Sequence, residues 1–124
     1  MSFAQSESVT VTTAADGSAT AYTVGTYNGR VSRITYTKVD FDNGVDFDVT
    51  GEATGVVLWD QDNVNATATV CPRQPTHDVL GAASLYAAGG EPVEDAIWVV
   101  NERIKFVIAA GGNVKTGAFR VWIV

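Results

Sequence analysis

The chain has 124 residues, 46% of them hydrophobic and 18% charged, with a net charge of −6. That is the length of one domain, apolar enough to bury a core and too sparsely charged to stay disordered. An acidic chain of this kind is a poor nucleic-acid binder, and no apolar run approaches the roughly 20 residues of a membrane helix.

Met1 to Glu7 carry neither the basic nor the apolar stretch of a signal peptide. They read as a flexible arm at the start of a single domain spanning 1–124. Val9-Thr10-Val11-Thr12-Thr13 is a β-branched run followed by Asp16-Gly17, a favoured hairpin pair, and Ala19 to Val24 reads as the returning strand. A second turn falls at Tyr27-Asn28-Gly29. From Val31 to Val39, Ile34 and Tyr36 alternate with Arg33, Thr35 and Thr37, the period of a strand with one buried face. Asp42-Asn43-Gly44 turns the chain again. Val45, Phe47 and Val49 then alternate with Asp46, Asp48 and Thr50, and two shorter strands are expected over Val56–Trp59 and Ala66–Val70.

Between Cys71 and Pro92 the pattern breaks. Three prolines fall in or beside this stretch, and proline removes a ladder donor. It reads as one long irregular loop, with a turn or two of helix possible over 82–88. Strands resume at Ala96–Val100, a continuous apolar run in which Trp98 is expected to be core. Ile104, Phe106 and Ile108 alternate with Arg103, Lys105 and Val107. After Ala109 to Asn113, Phe119, Val121 and Ile123 alternate with Ala118, Arg120 and Trp122. These last two strands read as a closing hairpin. The expected fold is all-β: one antiparallel sandwich or barrel of about eight strands, with a jelly-roll among the options.

The acids are concentrated. Seven lie between Asp40 and Asp62, a stretch without a Lys or Arg, leaving seven acids against eight bases elsewhere. Asp40 to Gly44 resembles a calcium loop only superficially. Counted from Asp40, glycine falls at position five instead of six, and position twelve is Gly51 instead of Glu. A solvated strand face and an Asn-Gly turn explain these acids, with a cation site between strands as the alternative. Gly111 to Gly117 lacks the glycine that precedes the lysine of a phosphate loop. Cys71, the single cysteine, cannot form an intramolecular disulfide, and the chain reads as one made and kept in a reducing cytoplasm. Cys71 and His77 are separated by Pro72 and Pro75, with no recognisable oxyanion loop nearby. No catalytic residue, metal ligand or cofactor is expected, and the chain is read as a non-enzyme.

The binding signal lies in aromatic and basic residues. Trp122 shares the parity of Arg120, and Arg103 and Lys105 have the matching parity on the strand before. Hairpin pairing would place Trp122, Arg120 and one of those bases on one exposed face. Tryptophan and arginine are typical interface anchors; the alternative is a second layer of core, with Arg stems covering the indole. Leu85 and Tyr86, in the long loop, should either tuck into the domain or dock on a neighbour.

Four stretches carry a resemblance. They are Asp42 to Phe47, Pro72 to Asp78, Leu85 to Gly90, and Arg103 to Gly117 with its Ala109-Ala110-Gly111-Gly112-Asn113 core. Together they resemble small structural proteins encoded near the head genes of tailed bacteriophages, from about residue 42 to the end. The resemblance implies a head-decoration or cement protein that sits on the capsid exterior, with the major capsid protein as partner; the local three-fold and six-fold positions of a capsid then favour a closed homo-oligomer, a trimer first. It implies no catalytic residues. A neck or tail protein is an alternative. So is a carbohydrate-binding sandwich with Trp59 or Trp122 as a stacking platform.

Overall fold

The β-branched runs and Gly-containing turns of the sequence fold into strands with little else. A computed structural model describes residues 4–124. Among these residues it has no helix and eleven strands: β1 (Gln5–Thr12), β2 (Ala19–Tyr22), β3 (Tyr27–Lys38), β4 (Val45–Gly51), β5 (Val57–Val64), β6 (Ala68–Val70), β7 (Arg73–Pro75), β8 (Glu94–Ala96), β9 (Trp98–Glu102), β10 (Ile104–Ala109) and β11 (Thr116–Ile123). One sheet has the order β1-β11-β3-β6, with β9 pairing the first part of β3. The other runs β2-β10-β4-β5, and β7 and β8 form a separate ribbon.

All of these pairings are antiparallel, and four of them are nested. β1 pairs β11, β2 pairs β10, β3 pairs β6 and β4 pairs β5. The chain is therefore one long hairpin with its tip between β4 and β5, rolled so that its arms contribute alternately to two sheets. Eight of the strands in this arrangement make a jelly-roll, an all-β sandwich of two Greek keys.

The core follows from the alternation. Val9 and Val11, Ile34 and Tyr36, Val45, Phe47 and Val49, Ile104, Phe106 and Ile108, and Phe119, Val121 and Ile123 all point between the sheets. At the centre, Phe47 meets Trp59 and Phe119 edge-on at 4.7 and 5.1 Å, and Phe106 lies 4.9 Å from Phe119. Such pairs add to the large apolar area each ring buries. Phe41, from the β3–β4 connection, lies flat over Gly117, where a Cβ would collide with its ring.

Two expected hairpins are not formed. Asp16-Gly17 does make a tight turn, with the Ser18 N–H and hydroxyl both donating to Asp16 Oδ1. However, β1 and β2 then enter different sheets, and so do β10 and β11. Alternation tells which face of a strand is buried, not which strand lies beside it. Both strands of each expected hairpin direct their apolar face inward, from opposite sides of the core. The arm expected over 1–7 is strand from Gln5, paired with Ile123; Met1 to Phe3 lie outside the described residues.

Trp98 also departs from expectation. It is 56% exposed, while Ile97 and Val99 are buried. β9 pairs only the first part of β3, at the end of its sheet, so just one of its faces meets the core. Trp59 is 6% exposed, its indole N–H donating to Gln61 at 2.8 Å. A bulge in the β4–β5 pairing turns both Leu58 and Trp59 inward.

The long loop is an ordered arm without helix. β7 and β8 form its stem, and beyond them three chain segments bond edge to edge. Thr76 N donates to Val93 O at 2.8 Å, Ser84 N to Thr76 O at 2.9 Å and Val93 N to Ser84 O at 2.9 Å. Asp78 Oδ1 accepts from the N–H groups of Leu80 and Ala82, forming the tip.

Candidate docking face

The sheet β1-β11-β3-β6 turns its polar parity outward. Cross-strand register sets Ser6 beside Trp122 and Trp122 beside Arg33, and in the next row Ser8, Arg120, Thr35 and Thr69. The Trp122 indole lies between two guanidiniums, Arg33 at 5.8 Å and Arg120 at 5.4 Å from the ring centre. Arg120 is fixed further by donating to Ser8 Oγ at 3.1 Å and Ser6 Oγ at 2.8 Å. Towards the arm, Arg30 pairs with Trp98 across the strands, and its guanidinium stands 5.8 Å from that ring. Arg73 lies at the root of the arm, on a cleft shared with Arg30 and Ser32. Four of the five arginines and two of the three tryptophans thus belong to this face and its rim.

Among the described residues, none of these four arginines has a carboxylate partner. The one ion pair among the described residues joins Arg103 to Glu52, on the other side of the sandwich. Arg103 also stacks over Tyr22 at 4.3 Å. The hydrogen bond from Arg103 holds the Glu52 carboxyl below its ordinary value, against a small opposing effect of burial. Arg103 is therefore engaged within its own fold.

The opposite outer face is acidic. Asp46, Asp48, Asp60 and Asp62 surround a shallow cleft floored by Val107 and Ala109. Burial raises the Asp48 carboxyl, the neighbouring Asp60 charge adds to the rise, and Lys105 opposes it. The flanking acids do structural work: Asp46 Oδ1 accepts from Asn63 N at 2.9 Å, and Asp40 Oδ1 accepts from Thr116 N. No group of three or more His, Cys, Asp or Glu side chains is gathered as a metal ion would require, among the described residues.

The sequence-derived constellation therefore splits. Trp122 and Arg120 do share an exposed face, but Arg103 and Lys105 lie on the other sheet, because β11 is flanked by β1 and β3 instead of β10. Arg33 takes their place. It lies on the polar parity of its strand, a signal that points to this face once β3 is known to border β11. Arg30, Arg73 and Trp98 lacked even that signal. Leu85 and Tyr86 lie in the arm, 41% and 76% exposed, and neither tucks into the domain. Cys71 is exposed at the arm's root. No protein-family model matches the chain, and neither the curated proteins nor the solved structures contain a significant match.

Proposed function

We propose that this chain is a virion structural protein, a head-decoration protein that docks on the major capsid protein and reinforces the shell. The observation that carries a docking role is the face built from Arg30, Arg33, Arg73 and Arg120 with Trp98 and Trp122. Its guanidiniums are pre-positioned by indoles and serines but left without counter-ions. Such a surface suits a protein interface, where Trp and Arg are the usual anchors. The net charge of −6 disfavours a nucleic-acid partner. The capsid as the partner comes from the resemblance, not from the fold, since a jelly-roll hosts many functions. The arm, with Val79, Leu80 and Tyr86 in solvent, is the natural contact between copies in a closed oligomer.

The carbohydrate-module reading is weakened. Trp59 is buried, and guanidiniums lie against the rings of both Trp98 and Trp122, where a sugar would stack. The experiment is co-sedimentation with undecorated phage heads, and with tails as the comparison. Binding to heads that falls at least tenfold for Trp122→Ala with Arg33→Gln supports the reading. Binding to tails alone would move the role to the neck or tail, and binding to neither would end it.

A further inference from the structure

The cleft where the arm leaves the sandwich is the most specific part of this face. Its volume is about 200 Å³, and Arg30, Ser32, Arg73, Ala96 and Val124 line it. Two guanidiniums share one small recess with no carboxylate within ion-pair distance of either. Two like charges lining one recess attract an anion more strongly than either would alone.

Both arginines are held in place. Arg30 is stacked on Trp98, and Arg73 Nη1 donates to the Pro72 carbonyl at 2.9 Å. The backbone beneath Arg30 is fixed by a reciprocal pair of bonds, Arg30 N to Val124 O at 2.9 Å and Val124 N to Arg30 O at 2.8 Å. Gly29 permits this approach. Its φ is +144°, and a Cβ there would come within 2.7 Å of the Val124 carbonyl oxygen. The recess is thus preorganised, which lowers the ordering cost of binding.

We propose that the recess is a carboxylate-binding site, filled by an acidic side chain of the protein that the Arg–Trp face meets. The inference rests on reading that face as a docking surface. The planar fork of a guanidinium matches a carboxylate with two parallel hydrogen bonds, and the Ser32 hydroxyl offers a further donor. The volume lies below the roughly 300–1,000 Å³ of small-molecule pockets and suits one side-chain end group. Inorganic phosphate shares the chemistry. A protein carboxylate is favoured because the recess opens within a Trp–Arg surface of the interface type.

The test is a titration of ¹⁵N-labelled protein followed by NMR, reading the arginine Nε–Hε signals. One arm uses a blocked peptide of alternating Asp and Glu, the other inorganic phosphate at matched ionic strength. The peptide should shift the Arg30 and Arg73 signals saturably. Arg73→Gln and Arg30→Gln should each weaken it at least fivefold, with an unchanged backbone spectrum elsewhere, while Lys105→Gln, on the other sheet, should change it less than twofold. Absence of a saturable shift, tighter binding of phosphate than of peptide, or full affinity in both recess variants would overturn the proposal. Peptide binding without head binding leaves the recess standing and removes the capsid reading; head binding without peptide binding does the reverse.

Discussion

The sandwich and the arm use the same strand geometry but are held by different forces. In the sandwich, alternate residues of the strands enter a common core, and Val31, Ile34, Tyr36, Val99 and Phe106 are fully buried. In the arm, backbone hydrogen bonds and the Asp78 turn hold the shape, while Val79 and Leu80 stand in solvent. The difference separates two duties. Burial carries the stability of the domain, and the arm is left free to present a surface.

The sharpest break of that contrast is in the core. Phe119→Ala removes the ring that touches Tyr36, Phe47 and Phe106, and should cost about 3–5 kcal/mol in urea unfolding. A loss below about 1 kcal/mol would mean that the core is not organised around these rings.

The next effect is polar. Glu102 is 3% exposed, and its carboxylate accepts from Ala53 N, Thr54 N and Thr54 Oγ1, each at 3.1 Å. It fastens the β4–β5 tip to β9. Glu102→Ala strands those donors and should cost about 2–3 kcal/mol, since bonds to a charged group are worth more than neutral ones. Chemical denaturation of the variant measures it.

A pH dependence follows at the β2–β3 turn. Glu7 accepts from Tyr27 Oη and Val24 N at 2.6 Å and from Gly25 N at 3.1 Å. Burial raises the Tyr27 hydroxyl, and the Glu7 hydrogen bond and charge raise it further, to about 12. A folded value above the unfolded one means this stabilisation is fully present below about pH 10. It is lost as pH rises from there through about 12. For Glu7, burial acts upward, but the bonds from Tyr27, Val24 and Gly25 outweigh it and lower the folded value. Its contribution is therefore present above the ordinary carboxylate value and lost as pH falls through the lowered one. Melting temperatures of Tyr27→Phe should show a shallower alkaline decline than the parent between about pH 10 and 12, the remainder coming from Tyr36, whose hydroxyl burial also raises.

The smallest effect on stability belongs to the arm. Tyr86→Ala and Leu80→Ala remove side chains that are 76% and 91% exposed, so each should shift unfolding by less than about 0.5 kcal/mol. The proposed contact between copies predicts that sedimentation velocity will nonetheless show weaker self-association than for the parent. A destabilisation above about 2 kcal/mol would show that the arm is part of the core after all.

Much of this division was legible in the sequence. Phe47, Phe106 and Phe119 were placed in the core by period-two alternation, because a strand's two faces see opposite environments whatever its neighbours are. The break at Cys71 to Pro92 was legible from its prolines. Pairing was not, because alternation carries no partner information: the expected β10–β11 hairpin would set Arg103 or Lys105 beside Trp122, on a face that neither of them shares. Trp98 was misplaced for a related reason. An apolar run on a strand buried on both faces looks the same as one whose outer side carries a tryptophan under an arginine. The recess of Arg30 and Arg73 joins positions on β3 and β7, a contact set by how the arm returns to the sandwich.

The nesting of the strands also governs the order in which the molecule can be completed during synthesis. β4 and β5 are close in sequence and can pair as soon as both have left the ribosome. β1 has to wait, since Gln5 pairs with Ile123 and Thr12 with Thr116. Until the last strand emerges, Val9 and Val11 have no sheet to join, and half of one layer is missing. Closing so long a loop is slow because its entropy is lost before any contact compensates. A chain stalled before residue 116 would therefore expose apolar strand surface with free edges, the species most prone to aggregation and most dependent on chaperones.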